Sequence, residues 1–73
     1  MNSCILIRVL AGKGSPALEA VKKLPEVKSA HLVLGRYDIV ALAEAPTYEG
    51  LSTLATKVNA IPDTKSTETL IEA

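Results

Sequence analysis

Phenylalanine and tryptophan are absent from this sequence, and cysteine, histidine and methionine each occur once. Each shortage removes an explanation. A lone Cys4 excludes a disulfide within the chain. Cys4 and His31 are too few soft or imidazole ligands for a transition-metal site, so no metal and no cofactor are expected. Eight basic residues cancel eight acidic ones, and they are scattered. That is not the basic footprint of a protein that grips nucleic acid. No apolar run approaches the roughly 20 residues that cross a bilayer. The first residues carry no cationic stretch with a small-residue cleavage pattern after it, so a secretory signal is not expected and the setting is read as cytoplasmic.

What the chain does have is aliphatic mass. Hydrophobic residues make up 48% of its 73 positions, with tyrosine the only aromatic. Residues 1–73 suffice for one domain, near the lower limit for a core that stands alone. With disulfide and metal set aside, close packing and partners remain as sources of stability. Part of the apolar surface is therefore expected to lie between subunits.

The pattern along the chain alternates strands and helices. Residues 4–10, Cys-Ile-Leu-Ile-Arg-Val-Leu, form a near-continuous apolar run broken only by Arg8, which suits a strand buried on both faces. Residues 11–14 read as a turn. Ser15 then reads as a helix cap and Pro16 as the first helical residue, with the helix ending at Leu24 before Pro25. A second strand is expected over 27–34 and a third over 39–43. Gly35-Arg36 between them fits a two-residue type II′ hairpin. Pro46-Thr47 opens a second helix, in which Leu51, Leu54, Ala55, Val58 and Ile61 recur at helical spacing. Residues 65–71 form the last strand. Leu24-Pro-Glu-Val-Lys-Ser29 is echoed by Ile61-Pro-Asp-Thr-Lys-Ser66, each joining a helix to a strand. The order is that of a ferredoxin-like βαββαβ fold of the α+β class: a four-stranded antiparallel sheet with both helices on one face. Its other face has little polar alternation and is expected to pack on a second subunit.

Few residues invite chemistry. His31 and Asp38 have no nucleophile in a recognised setting, and Cys4 reads as an inert buried thiol. Gly12-Lys13-Gly14-Ser15 lacks the spacing of a phosphate-binding loop and reads as a strand-to-helix turn. Gly35-Arg36-Tyr37-Asp38 is more promising. A glycine lets a ligand approach backbone N–H groups, and Asp38 places a negative charge beside them. Donors for a carboxylate next to an acceptor for an ammonium are what a free amino acid requires. The same four residues also suit a plain turn.

These four residues match the G-x-Y-D of the Lrp/AsnC (feast/famine) transcriptional regulators, in the effector-binding RAM domain at their C-terminal end. Val33-Leu34 before them, the apolar run 39–43 after them, Ile61-Pro62, and Thr67-Glu68-Thr69-Leu70-Ile71 extend the resemblance over essentially the whole chain. The resemblance implies a domain that dimerises through its sheets (the dimeric α+β barrel type), assembles into rings, often octamers, and binds amino-acid effectors between dimers. By position, Gly35, Arg36, Tyr37 and Asp38 line that site, with Thr67 and Thr69 as hydroxyl donors. Two departures stand out. Family members carry a helix-turn-helix domain ahead of this region, whereas this sequence starts at the first effector strand and so resembles a stand-alone RAM protein. Asp63-Thr64 also replaces the family's Gly-Val after Ile-Pro.

The leading expectation is thus a non-enzymatic amino-acid-binding module. It would regulate transcription through oligomers with itself or with a full-length Lrp/AsnC regulator. A small cofactor-free enzyme of monooxygenase type, sharing the fold, is the alternative; a ligand-free oligomerisation module is a third. Zero net charge predicts that these 73 residues alone make no sequence-selective complex with duplex DNA. A gel shift at low salt checks this, and a discrete operator-specific band would contradict it.

Overall fold

Short β-branched runs separated by turn residues leave little choice of element order. The computed structural model, which describes residues 1–72, runs β1 (Asn2–Val9), α1 (Gly14–Lys22), β2 (Val27–Leu32), β3 (Ile39–Glu44), α2 (Tyr48–Asn59) and β4 (Thr64–Ile71). The strands form one sheet in the order β2-β3-β1-β4, with β1 antiparallel to both β3 and β4. The expected ferredoxin-like arrangement is therefore the observed one.

Side chains alternate across a strand, and directly paired residues share a face. Ile5 pairs with Ala41 on one side and Thr69 on the other; Ile7 pairs with Ile39 and Thr67. This set faces the helices. Val21 of α1 and Leu54 and Val58 of α2 pack with Ile5, Ile7 and Ile39 in the core. These six side chains are fully or almost fully buried, each contributing about 1.5–3 kcal/mol by leaving water. Ala17, Ala30, Ala41 and Ala43 join the core. Small residues beside branched ones let helix and sheet approach closely, so the core fills without any phenylalanine or tryptophan.

The intervening set faces away from the helices. Leu6 pairs with Val40 and Glu68, and Cys4 with Leu42 and Leu70. Leu42 and Leu70 are about half exposed, while Cys4 and Leu6 are partly covered. In the single chain β1 is thus buried on one face, not two, because the two helices cover only one side. Cys4, expected to be buried, sits half-covered on the open side.

Several boundaries differ from the sequence expectation. Helix α1 starts two residues earlier, with Lys13 as its cap and no side-chain cap bond. Its first internal bond runs from Ala17 N to Lys13 O, 3.2 Å. Pro16 lies within the first turn, where N–H groups have no helical partner, so its missing donor costs nothing there. Helix α2 opens where expected, after Pro46-Thr47, and the structure adds a side-chain cap: Thr47 Oγ1 accepts from Gly50 N at 3.1 Å. Residues 33–38 form a longer loop, not a two-residue hairpin. Val33 N donates to Asp38 O at 2.9 Å, and the chain beyond it bulges outward with Leu34 fully exposed.

The internal echo is structural. Val27 N donates to Leu24 O at 3.0 Å, and Thr64 N donates to Ile61 O at 3.3 Å. The second turn differs at its third residue, where Asp63 has φ 71°. Proline followed by a positive φ is a type II turn, in which glycine is favoured. The comparable turn from Leu10 to Lys13 does have glycine there, Gly12 at φ 78°. Asp63→Gly should therefore stabilise the fold by about 0.5–1 kcal/mol, because the left-handed conformation strains a residue with a Cβ. Thermal melting should show a rise of a few degrees; an unchanged or lower Tm would show that the Asp63 side chain compensates for the strain.

Candidate functional site at the rim of the open sheet face

The open face has an apolar centre and a polar border. Leu6, Val40, Leu42, Cys4 and Leu70 occupy the middle of β3, β1 and β4. A shallow hollow of about 320 Å3 over this centre is lined by Cys4, Leu42 and Leu70, with Asn2 and Glu72 at its end. At the opposite end stand Arg8, paired with Ser66, and the loop of residues 33–38. His31 on the edge strand β2 pairs with Val40 and is exposed, with no catalytic companion beside it among the described residues.

Asp38 holds the loop to the sheet. Its backbone N–H donates to Ile7 O at 2.8 Å, and its carboxylate Oδ2 accepts from Val9 N at 2.9 Å. The register of β1 with β4 shifts between Arg8 and Val9. Beyond Ile39 the β3 backbone offers β1 only this one further bond, so the Asp38 side chain satisfies the next donor. Val9 is buried, and an unpaired N–H there would be costly. The turn-shaping role of Asp38 is real, and it engages one carboxylate oxygen.

Gly35 and Arg36 are exposed at the loop tip. Gly35 has φ 140°, which L side chains rarely adopt, and no atom lies within 4 Å of where a Cβ would stand. Tyr37 is half-buried, and its hydroxyl donates to Glu68 Oε2 at 2.5 Å. That contact, then desolvation, then the Glu68 charge push the Tyr37 hydroxyl above its ordinary pKa of 10.0, against opposing effects of Arg36 and Arg8.

The loop residues come together, but Thr67 and Thr69 lie on the other face of the sheet. They pair with Ile7 and Ile5, and Thr67 Oγ1 donates to Asn59 Oδ1 of α2 at 2.9 Å. Between them Glu68 points to the open side. Sequence reading passed over Glu68 and Arg8 as site residues. The signal was available: in a T-x-T strand the middle residue faces opposite to both threonines.

A family model described as the Lrp/AsnC ligand binding domain matches residues 3–72. Over 71 residues, 97% of this chain, it is 31% identical to the HTH-type transcriptional regulator FL11 of Pyrococcus horikoshii. It covers only 47% of that protein, so the chain spans about half the length of its curated relative. The crystal structure of FFRP-DM1 is 33% identical and superposes with a TM-score of 0.93 over 99% of this chain and 97% of that one. Escherichia coli AsnC is 30% identical, with a TM-score of 0.88 over 97% of this chain and 49% of that chain.

The Asp38 contact predicts an ordered pair of variants. Asp38→Ala leaves Val9 N–H without a partner and should cost about 1–3 kcal/mol. Asp38→Asn keeps an oxygen acceptor there and should cost less than about 1 kcal/mol. Urea unfolding of both variants measures the order; equal losses would mean that the charge of Asp38, not its acceptor, holds the loop.

Proposed function

Because this chain belongs to the Lrp/AsnC family as its ligand-binding domain, we propose that it is an amino-acid-responsive regulatory module. The family is one of transcriptional regulators. In the proposed reading a free amino acid binds at the loop of residues 33–38 and shifts the assembly of the domain. It thereby modulates transcription through oligomers with itself or with a longer Lrp/AsnC-type regulator.

The observation that carries this reading is the position of the Gly35-Arg36-Tyr37-Asp38 loop at the polar rim of an uncovered apolar sheet face. The centre of that face is suited to a second copy: a mostly aliphatic surface leaves water at about 25 cal/mol per Å2. The rim supplies polar groups where copies meet. On one chain the loop tip, residues 33–36, is exposed, so a neighbouring copy would complete the cleft. Backbone N–H groups around Gly35 and the cation of Arg36 suit the ligand's carboxylate, and the Asp38 carboxylate suits its ammonium. Thr67 and Thr69 enter this reading only as hydroxyls on the edge strand β4, on the face turned towards the helices. The cytoplasm is the setting proposed; no helix among the described residues is long and apolar enough to cross a membrane.

Two measurements test the proposal. Light scattering at micromolar protein should give at least a dimer, little changed by salt, because apolar contacts are not screened; a monomer would contradict it. Calorimetry against the twenty amino acids should find binding in roughly the micromolar to millimolar range, since a ligand with so few heavy atoms can gain little more. Asp38→Asn should then weaken that binding about ten- to a hundredfold. Unchanged affinity in a variant that still assembles would remove Asp38 from the site.

A further inference from the structure

The Tyr37–Glu68 contact is out of place for a simple surface hydrogen bond. Tyr37 belongs to the loop that leads into β3, whereas Glu68 lies on β4, and β1 runs between them. The tyrosine therefore reaches across β1, over a span of about 10 Å for two strand spacings. It does so beside Arg8, which the register places next to Glu68's partner Leu6 on the adjoining row. Arg36 lies next to Tyr37 in the loop. Both guanidinium groups are near enough to act on the Tyr37 hydroxyl. Neither forms an ion pair among the described residues, where Lys28–Glu44 and Lys57–Glu26 are the pairs found.

These three groups share one chemical character. A phenol O–H that bonds a carboxylate, with one guanidinium next to it in the loop and another one row away on the neighbouring strand, is a set of donors and cations of the kind that recognises a carboxylate. The phenol already holds a carboxylate, that of Glu68. Glu68 is exposed, on a flexible stem, at the edge of the sheet, and held through a single hydrogen bond. Exposed contacts of this kind are weak and exchange readily with competing solutes.

We propose that Tyr37, Arg8 and Arg36 form a carboxylate seat, and that Glu68 of the same chain occupies it as an internal competitor for the carboxylate of a free amino acid. The proposal rests on the effector-binding reading above and deepens it. Glu68 swings out when the ligand enters, so the fraction of molecules with an empty seat scales the apparent affinity. A residue outside the G-x-Y-D loop thereby sets how much amino acid is needed.

The test uses two independent readouts on the whole chain. The first reports the seat alone. Tyr37 and Tyr48 are the only aromatic residues, so Tyr48→Phe leaves Tyr37 as the sole chromophore. In that background Tyr37 should ionise at lower pH when Glu68 is replaced by Ala, because the bond and charge that raise it are gone while Arg8 and Arg36 remain. Acetate should alter Tyr37 fluorescence in the Glu68→Ala protein at concentrations that leave the parent unchanged. Identical ionisation in both proteins, or an equal response to acetate, overturns the proposal whatever amino acids do.

The second readout is calorimetry with the twenty amino acids. Any that binds the parent should bind Glu68→Ala about two- to fivefold more tightly, and adding Tyr37→Phe should abolish the gain. Equal or weaker binding to Glu68→Ala overturns the competitor role and leaves the effector reading standing. If no amino acid binds either protein, the effector reading fails, and the acetate response alone then decides whether the seat exists.

Discussion

Alternation along β1 governs this molecule. Its odd-numbered residues Ser3, Ile5, Ile7 and Val9 point under the helices and are buried. Cys4 and Leu6 point the other way and are only partly covered. Two helices are enough to seal one face of a four-stranded sheet, and the described residues hold no further element over the second. Apart from the Thr67 and Thr69 hydroxyls, everything proposed for function lies on that second face or at its rim. A charge in place of Leu6 or Leu42 would blunt the face; a mostly aliphatic centre with Arg8, His31 and Glu68 around it has the composition of an interface core with a polar border.

Asp38 shows how structural and functional roles can share one residue. A turn residue that only shapes backbone needs one acceptor, and Oδ2 provides it to Val9. The carboxylate has a second oxygen, and its charge persists whichever oxygen is engaged. The contact also has a mechanical consequence. With the Asp38 backbone N–H on Ile7 and its carboxylate on Val9, the loop is tied to β1 at its C-terminal end, while Leu34 and Gly35 at the tip are free of such ties. A ligand or neighbouring copy that orders the tip would act against a fixed base.

The two βαβ-like halves also explain where the sequence departs from its family. Both halves turn from helix to strand through the same Leu/Ile-Pro corner, closed by the same backbone bond. In the second half the corner carries Asp63 at a positive φ, and Asp63 O accepts from Leu10 N at 2.9 Å, tying that corner to the segment after β1. The aspartate thus adopts the backbone that the family's glycine suits, which keeps β4 in register at a local conformational cost.

Element order, the opening of α2 at Pro46-Thr47, the echo between the halves and the family were all legible in the residues, because periodicity and turn chemistry are local. Loop 33–38 was not. Gly35-Arg36 carries the signature of a tight hairpin, but the apolar Val33 and Leu34 and the polar Tyr37 and Asp38 can serve equally as strand or loop. That choice was made by distant bonds: Asp38 to Ile7 and Val9, and Tyr37 to Glu68. The start of α1 was likewise decided by the Gly12 turn and by Gly14 packing close to Leu32. The faces of Thr67, Glu68 and Thr69 followed from register, which a strand acquires only by pairing. Spacing along a chain determines which residues share a face of one strand; only the assembled sheet determines which face the helices cover, and so which residues remain free to meet a partner or ligand.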